Sequence, residues 1–237
     1  MMTGADLLFW VVLPYAAMAV FVVGHLWRYQ RDQFTWTSRS TQLFERRLLM
    51  WGSILFHYGA LAAIGGHALG ILVPSGVTSA FGISEHTYHL ISVSGGTLAA
   101  LACVTGLLLL LYRRLTVPRV AATTTRMDLV TYVLLLLMIG LGTIETVGVN
   151  LLGGSYDYRA TVGLWFRGLF MLDPHPGLMA SAPLVYRLHA IAAWLLFALW
   201  PFTRLVHAWS VPVTYLNRIY ILYRRRGRQA SYLRKYR

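Results

Sequence analysis

Apolar positions gather into five long runs, at about 7–27, 48–73, 89–112, 128–150 and 184–209. About twenty apolar residues in a helix cover a hydrocarbon core roughly 30 Å thick, so the pattern predicts an all-α bundle of five transmembrane helices. Polar and turn-forming residues collect between the runs, in connections Arg28–Arg47, Pro74–Tyr88, Arg113–Arg126 and Leu151–Pro183. The last of these is the longest and holds Gly153-Gly154 and Asp173-Pro174-His175-Pro176-Gly177. Neither an internal repeat nor a low-complexity tract is visible. The chain divides into a membrane domain over 1–215 and a basic tail over 216–237.

Composition narrows the class. Of 237 residues, 57% are hydrophobic and 12% charged, about half the charged share of an ordinary soluble domain. The formal net charge of +13 would suggest nucleic acid in a soluble protein. Here the basic residues are sorted between apolar runs instead, so no nucleic-acid partner is expected. The first and third connections and the tail hold 17 of the 21 Lys and Arg, while the second connection holds none. Cytoplasmic loops attract this excess, which puts the N-terminus outside and the C-terminus in the cytoplasm of a cell membrane. Ala16-Ala17-Met18-Ala19 faintly resembles a signal-peptide cleavage site, but no basic stretch precedes the first run, so it is read as a helix. The single cysteine, Cys103, sits among apolar neighbours and excludes a Cys-rich zinc or iron–sulfur site within this chain.

Ionisable residues at membrane depth are costly and raise a functional question by default. Four histidines fall inside predicted spans, His57 and His67 on the second and His189 and His207 on the fifth. The two helices run antiparallel, so His57 and His207 share the inner half and His67 and His189 the outer half. That arrangement suits two stacked haems, each held by one histidine from each helix, with both axial positions filled for single-electron transfer. The alternative is four packing histidines bonded to carbonyls or to one another. His189 and His207 are 18 residues apart and would share a face on a continuous helix at about 100° per residue. Their axial separation would be about 27 Å, against about 15 Å for His57 and His67, a mismatch that tilt or a kink at Pro201 has to absorb. Gly59, Ala60, Ala62, Ala63, Gly65, Gly66, Ala68 and Gly70 surround the second-span pair and suit either a flat macrocycle or close helix packing.

Weaker candidates flank these four. His86, Tyr88 and His89 at the outer mouth of the third span could bond a quinol headgroup, or be solvated loop residues. Arg204, three residues before His207, could neutralise a haem propionate or a lipid phosphate, and Arg113 and Arg114 have the same two uses. Glu145 could accept a proton or reach interfacial water. His25 is expected to snorkel to the interface, and His175 to lie in an outer loop.

Several motifs belong together. Tyr186-Arg187-Leu188-His189 and the segment Pro201 to Val213 (PFTRLVHAWSVPV) closely resemble the respiratory nitrate reductase gamma subunit family. Similar matches lie at Arg28 to Trp36 (RYQRDQFTW), Phe56-His57, Gly66-His67 and Pro118 to Thr125 (PRVAATTT). The resemblance covers nearly the whole chain, from Pro14-Tyr15 to about Leu222. It implies five helices and two b-type haems, with axial ligands at His57 and His207 for the inner haem and His67 and His189 for the outer. It also implies quinol oxidation near the outer haem, and delivery of electrons to an iron–sulfur subunit and a molybdenum-containing catalytic subunit in the cytoplasm. Where the family carries lysines at the start of the third helix, this chain has His86, Thr87, Tyr88 and His89, and the stretch from Glu145 to Pro183 matches poorly. A similar cytochrome serving a sulfur- or heterodisulfide-handling complex, or a haem-free transporter or anchor, would show the same four histidines.

Overall fold

The computed structural model describes residues 3–209, and among them every regular element is helical. The 216–237 tail and the end of the PFTRLVHAWSVPV motif, from Ser210 on, lie outside the described residues. Five helices are long and apolar enough to cross a membrane: α1 (Gly4–Arg31), α2 (Arg47–Leu72), α3 (Glu85–Thr116), α4 (Arg126–Leu152) and α5 (Leu184–Phe202). The chain is a multi-pass membrane protein. The start of α1 defines one face of the bundle, the N-terminal face; the end of α5 defines the opposite, C-terminal face.

Helices α1, α3 and α4 outrun their apolar stretches because polar caps extend them. Ser84 accepts the Thr87 N–H at 3.2 Å at the start of α3. Thr125 and Asp128 form a reciprocal capping box at the start of α4, with bonds of 2.9 and 3.2 Å. Hydropathy registers the lipid-facing middle of a helix and is blind to capped ends.

The fifth helix departs most from expectation. It ends at Phe202; Thr203 is extended (φ −108°, ψ 177°), and Arg204–Trp209 forms a separate 3₁₀ segment. Pro201 has no N–H for the Phe197 carbonyl four residues back, which the Trp200 N–H takes, and because the helix stops at Phe202 the Pro201 and Thr203 carbonyls need outside donors. Arg28 of α1, only 5% exposed, supplies them. Its Nη1 donates to the Pro201 carbonyl at 2.5 Å and the Thr203 carbonyl at 2.7 Å, and its Nη2 donates to the Thr35 carbonyl at 2.8 Å. The 27 Å expected of a continuous helix between His189 and His207 therefore does not apply, and neither does the shared-face argument built on it.

Helix packing is uneven. α2 lies tightly along α3, because a Cβ on Gly59 would stand 2.6 Å from the Cys103 backbone nitrogen and one on Gly106 would strike the Phe56 backbone. α5 packs on α1 and α4, and α4 touches α3. α2 and α5 make little backbone contact with each other. Many large apolar side chains of the five helices stay exposed, as lipid-facing helices require.

The long 151–183 connection caps the N-terminal face. Its amphipathic helix Val162–Phe170 buries Trp165 and Leu169 with Trp10, Ala17, Met179 and Trp194. Pro14 cannot donate to the Trp10 carbonyl four residues earlier, and the Trp165 indole N–H fills that acceptor at 2.8 Å. Arg167 likewise donates to the Ile71 carbonyl at 2.6 Å, near the end of α2.

Candidate functional site

The four span histidines stand in two facing pairs. The His67 and His189 rings have centroids 6.0 Å apart and planes 12° from parallel, toward the N-terminal face. The His57 and His207 rings are also 6.0 Å apart, at 69°, toward the C-terminal face. Both members contributed by α2 are exposed.

Local backbone bonds orient three of the rings. His57 Nδ1 lies 2.7 Å from the Ser53 carbonyl, His67 Nδ1 2.7 Å from the Ala63 carbonyl, and His207 Nδ1 2.6 Å from the Arg204 carbonyl. A carbonyl only accepts, so in each ring Nδ1 carries the proton and Nε2 presents a lone pair. His189 is different: its Nδ1 is buried without a hydrogen-bond partner among the described residues, and Glu145 Oε1, 4.0 Å away, is in the same condition. Gly142 of α4 makes room for this ring, since a Cβ there would stand 2.9 Å from His189 Cε1.

The donor set can be tested against what it might hold. Among the described residues no group of three or more His, Cys, Asp or Glu could hold a metal ion, so protein side chains alone complete no such site. An imidazole nitrogen bonds a first-row metal at about 2.0 Å, so two rings on opposite sides of one ion have centroids about 6 Å apart. Each pair could therefore hold one ion between two imidazole nitrogens, with its remaining ligands supplied from another source. Space for a flat ring is present beside α2, where Cβ atoms on Gly65 or Gly66 would meet nothing within 4 Å. The small residues divide their work: Gly59 serves helix packing, Gly65 and Gly66 face open space, and Gly70 accommodates the Tyr158 and Tyr88 hydroxyls.

The arginines expected to meet propionates or lipid phosphates have partners inside the chain. Arg204 grips Asp128 through two bonds of 2.7 Å. Arg113 donates to Glu45 at 2.8 Å and to the Thr41 carbonyl at 2.8 Å, and Arg114 donates to Thr124 at 3.1 Å and lies over the Tyr132 ring. Burial works to raise the Glu45 carboxyl, but the Leu48 N–H, the Arg113 guanidinium and the Leu49 N–H outweigh it and hold Glu45 below its ordinary range.

At the N-terminal face, the Tyr88 hydroxyl is 3.2 Å from that of Tyr158 and its ring lies 4.0 Å beneath the Arg159 guanidinium. His86 is exposed and His89 half-buried. Contrary to the snorkelling expectation, His25 is packed among Phe21, Trp36 and Trp209 and bonds the Phe21 carbonyl. His175 is exposed in the long connection, 3.7 Å from Asp173. Sequence reasoning gave no role to Arg28, Asp128 or Gly142. Arg28 opens the RYQRDQFTW stretch, and Asp128 is the acidic end of a Thr-x-x-Asp capping box, whereas Gly142 left no signal.

Comparison with known proteins agrees with the motifs. The family profile described as nitrate reductase gamma subunit matches residues 6–226. The nitrate reductase gamma chain of Bacillus subtilis (strain 168) is 45% identical over 218 residues, 92% of this chain and 97% of that protein. The respiratory nitrate reductase 1 gamma chain of Escherichia coli (strain K12) is 36% identical over 225 residues, 93% of this chain and 98% of that protein. The nitrate reductase-like protein NarX of Mycobacterium tuberculosis is 48% identical over 221 residues, 92% of this chain but 34% of that longer protein. The chain belongs to the nitrate reductase gamma subunit family.

Proposed function

We propose that this gamma-family chain is the membrane-anchoring dihaem cytochrome b of a nitrate reductase, oxidising quinol near its N-terminal face. The observation that carries the reading is the two histidine pairs, each 6.0 Å across, formed between α2 and either α5 or the 3₁₀ segment that follows it, where α2 and α5 otherwise barely touch. His67 and His189 hold one haem b and His57 and His207 the other. When bound, these groups supply one-electron transfer between the quinol side and the opposite membrane face. The chain's own part is to aim each Nε2 at the iron, with Nδ1 of His57, His67 and His207 anchored one turn back on the helix or 3₁₀ segment.

The sorting of 17 of 21 basic residues supports an external N-terminal face and a cytoplasmic C-terminal face. Quinol then gives up its protons outside, where the exposed His86 and the half-buried His89 are the candidate acceptors. Tyr88 is committed to Tyr158 and Arg159 and serves the site as a wall. An iron–sulfur subunit and a molybdenum-containing catalytic subunit dock on the cytoplasmic face, a reading supported by membership of the gamma subunit family. A reduced-minus-oxidised optical spectrum of the purified chain, with haem quantified against protein, is the test. Two b-type haems per chain are expected, and a chain without any overturns the reading.

A further inference from the structure

Three of the four pair histidines hand their Nδ1 proton to a nearby backbone carbonyl; His189 does not. Its Nδ1 faces a buried carboxyl oxygen of Glu145 at 4.0 Å, and both atoms are shut away from solvent with no hydrogen-bond partner among the described residues. Two buried, complementary and unsatisfied polar atoms at this separation are costly apart and need only a small side-chain rotation to meet. The backbone around Glu145 is set for that meeting. Glu145 lies in a π-helical stretch, Ile144–Leu152, and the Asn150 side chain donates to the Glu145 carbonyl at 2.7 Å. The same Asn150 nitrogen donates to the Tyr186 hydroxyl at 2.7 Å, one turn before His189 on α5. Asn150 therefore ties Glu145 and the His189 turn into one unit.

We propose that Glu145 is a positioning residue for the outer site, accepting the Nδ1 proton of His189 and so orienting Nε2 toward the iron. The inference rests on the haem reading of the His67–His189 pair. An acceptor on the Nδ1 proton makes the ring a stronger donor through Nε2 and favours the oxidised metal. The outer haem then sits at a lower potential than the same ligands would give with no such acceptor. The Met138 backbone is the competing acceptor near this ring.

Potentiometric titration of the two haem signals in membranes tests the proposal, with E145L removing the acceptor and E145Q keeping one in its amide oxygen. The outer midpoint should rise in E145L and return toward the wild-type value in E145Q, with the inner midpoint unmoved in both. An outer midpoint in E145L equal to that of the wild type, or an equal shift of both haems, overturns the proposal and leaves the Met138 carbonyl as the acceptor. If E145L fails to accumulate or loses the outer haem, E145A is read by the same criterion. A wild-type chain without haem fails at the earlier step and is told apart by its spectrum before any variant is made.

Discussion

The two histidine pairs reach the same 6.0 Å separation by different means. At the N-terminal face both rings sit on unbroken stretches of helix, and the pair is held by packing: Gly142 under His189, and the Trp165 cap over the end of the bundle. At the C-terminal face His207 lies beyond a broken helix, and charge holds it: Arg28 on the freed carbonyls, Asp128 on Arg204. A regular helix positions a side chain through its own hydrogen bonds, whereas a 3₁₀ segment after a break must borrow donors and acceptors from neighbours. The C-terminal pair should therefore be more sensitive to single polar substitutions, and the N-terminal pair to changes of volume.

On the dihaem reading proposed above, removing a ligand is the largest perturbation and should split the two sites. His67→Ala or His189→Ala is expected to remove the outer haem and abolish quinol oxidation. His57→Ala should leave the outer haem in place, and with it the first acceptance of electrons, while blocking passage to the cytoplasmic side. Haem counts and spectra across the variants check this, and equal loss of both haems in every variant would refute a local assignment of each pair.

Next in size is Asp128→Asn. It breaks a bidentate pair whose side chains are 5% and 19% exposed and strands the Arg204 charge, at a cost of about 3 kcal/mol or more. Because Arg204 supplies the carbonyl that anchors His207, the inner haem should fall in occupancy first, with the outer one retained. Haem stoichiometry together with the thermal midpoint in detergent reads this out. Outer loss ahead of inner loss would reverse the comparison.

The contrast also marks what the chain revealed before its structure was known. Hydropathy located all five helices, because twenty apolar residues in a row have few other uses. Depth order alone was enough to associate the histidines that now stand face to face, because antiparallel neighbours match residues by height. The break at Thr203 was not legible: Pro201 announced a kink, but whether the chain bends or ends there depends on Arg28, 173 residues away, taking the freed carbonyl. The roles of Arg204, Arg113 and Arg114 were not legible either, since a basic residue at a helix end has the same appearance whether it meets lipid or Asp128. Nor did sequence distinguish Gly59, pressed on Cys103, from Gly65 and Gly66, which face open space. Which way a glycine faces is a property of the partner helix.

A volume change is the matching test at the N-terminal face. Gly142→Ala places a methyl 2.9 Å from His189 Cε1, and overpacking of this kind costs about 1–3 kcal/mol. The ring must shift, so the outer haem should show an altered spectrum or reduced occupancy while the inner haem is untouched. Gly66→Ala, where nothing lies within 4 Å among the described residues, is the control for chain stability without haem.

The smallest effect expected is on acid stability, and it belongs to the C-terminal face. Glu45 ties the first connection to α3 through Arg113, with the Glu45 side chain 20% exposed and Arg113 3%. Its carboxyl is held below the ordinary value of 4.5 in the folded chain, where Leu48, Arg113 and Leu49 outweigh the opposing effect of burial. A group whose pKa falls on folding stabilises the native state fully above its unfolded value and loses that contribution as pH drops through the folded one. Thermal midpoints of the wild type should therefore decline below about pH 4.5 more steeply than those of Glu45→Gln, which has no carboxylate to protonate. The Arg159–Glu85 pair of the N-terminal face, with Glu85 57% exposed, is screened by water and should contribute less, so Glu85→Gln should lower the thermal midpoint at neutral pH less than Glu45→Gln does. If Glu85→Gln lowered that midpoint more than Glu45→Gln, charge would matter more at the N-terminal face, against the division of labour between the two ends.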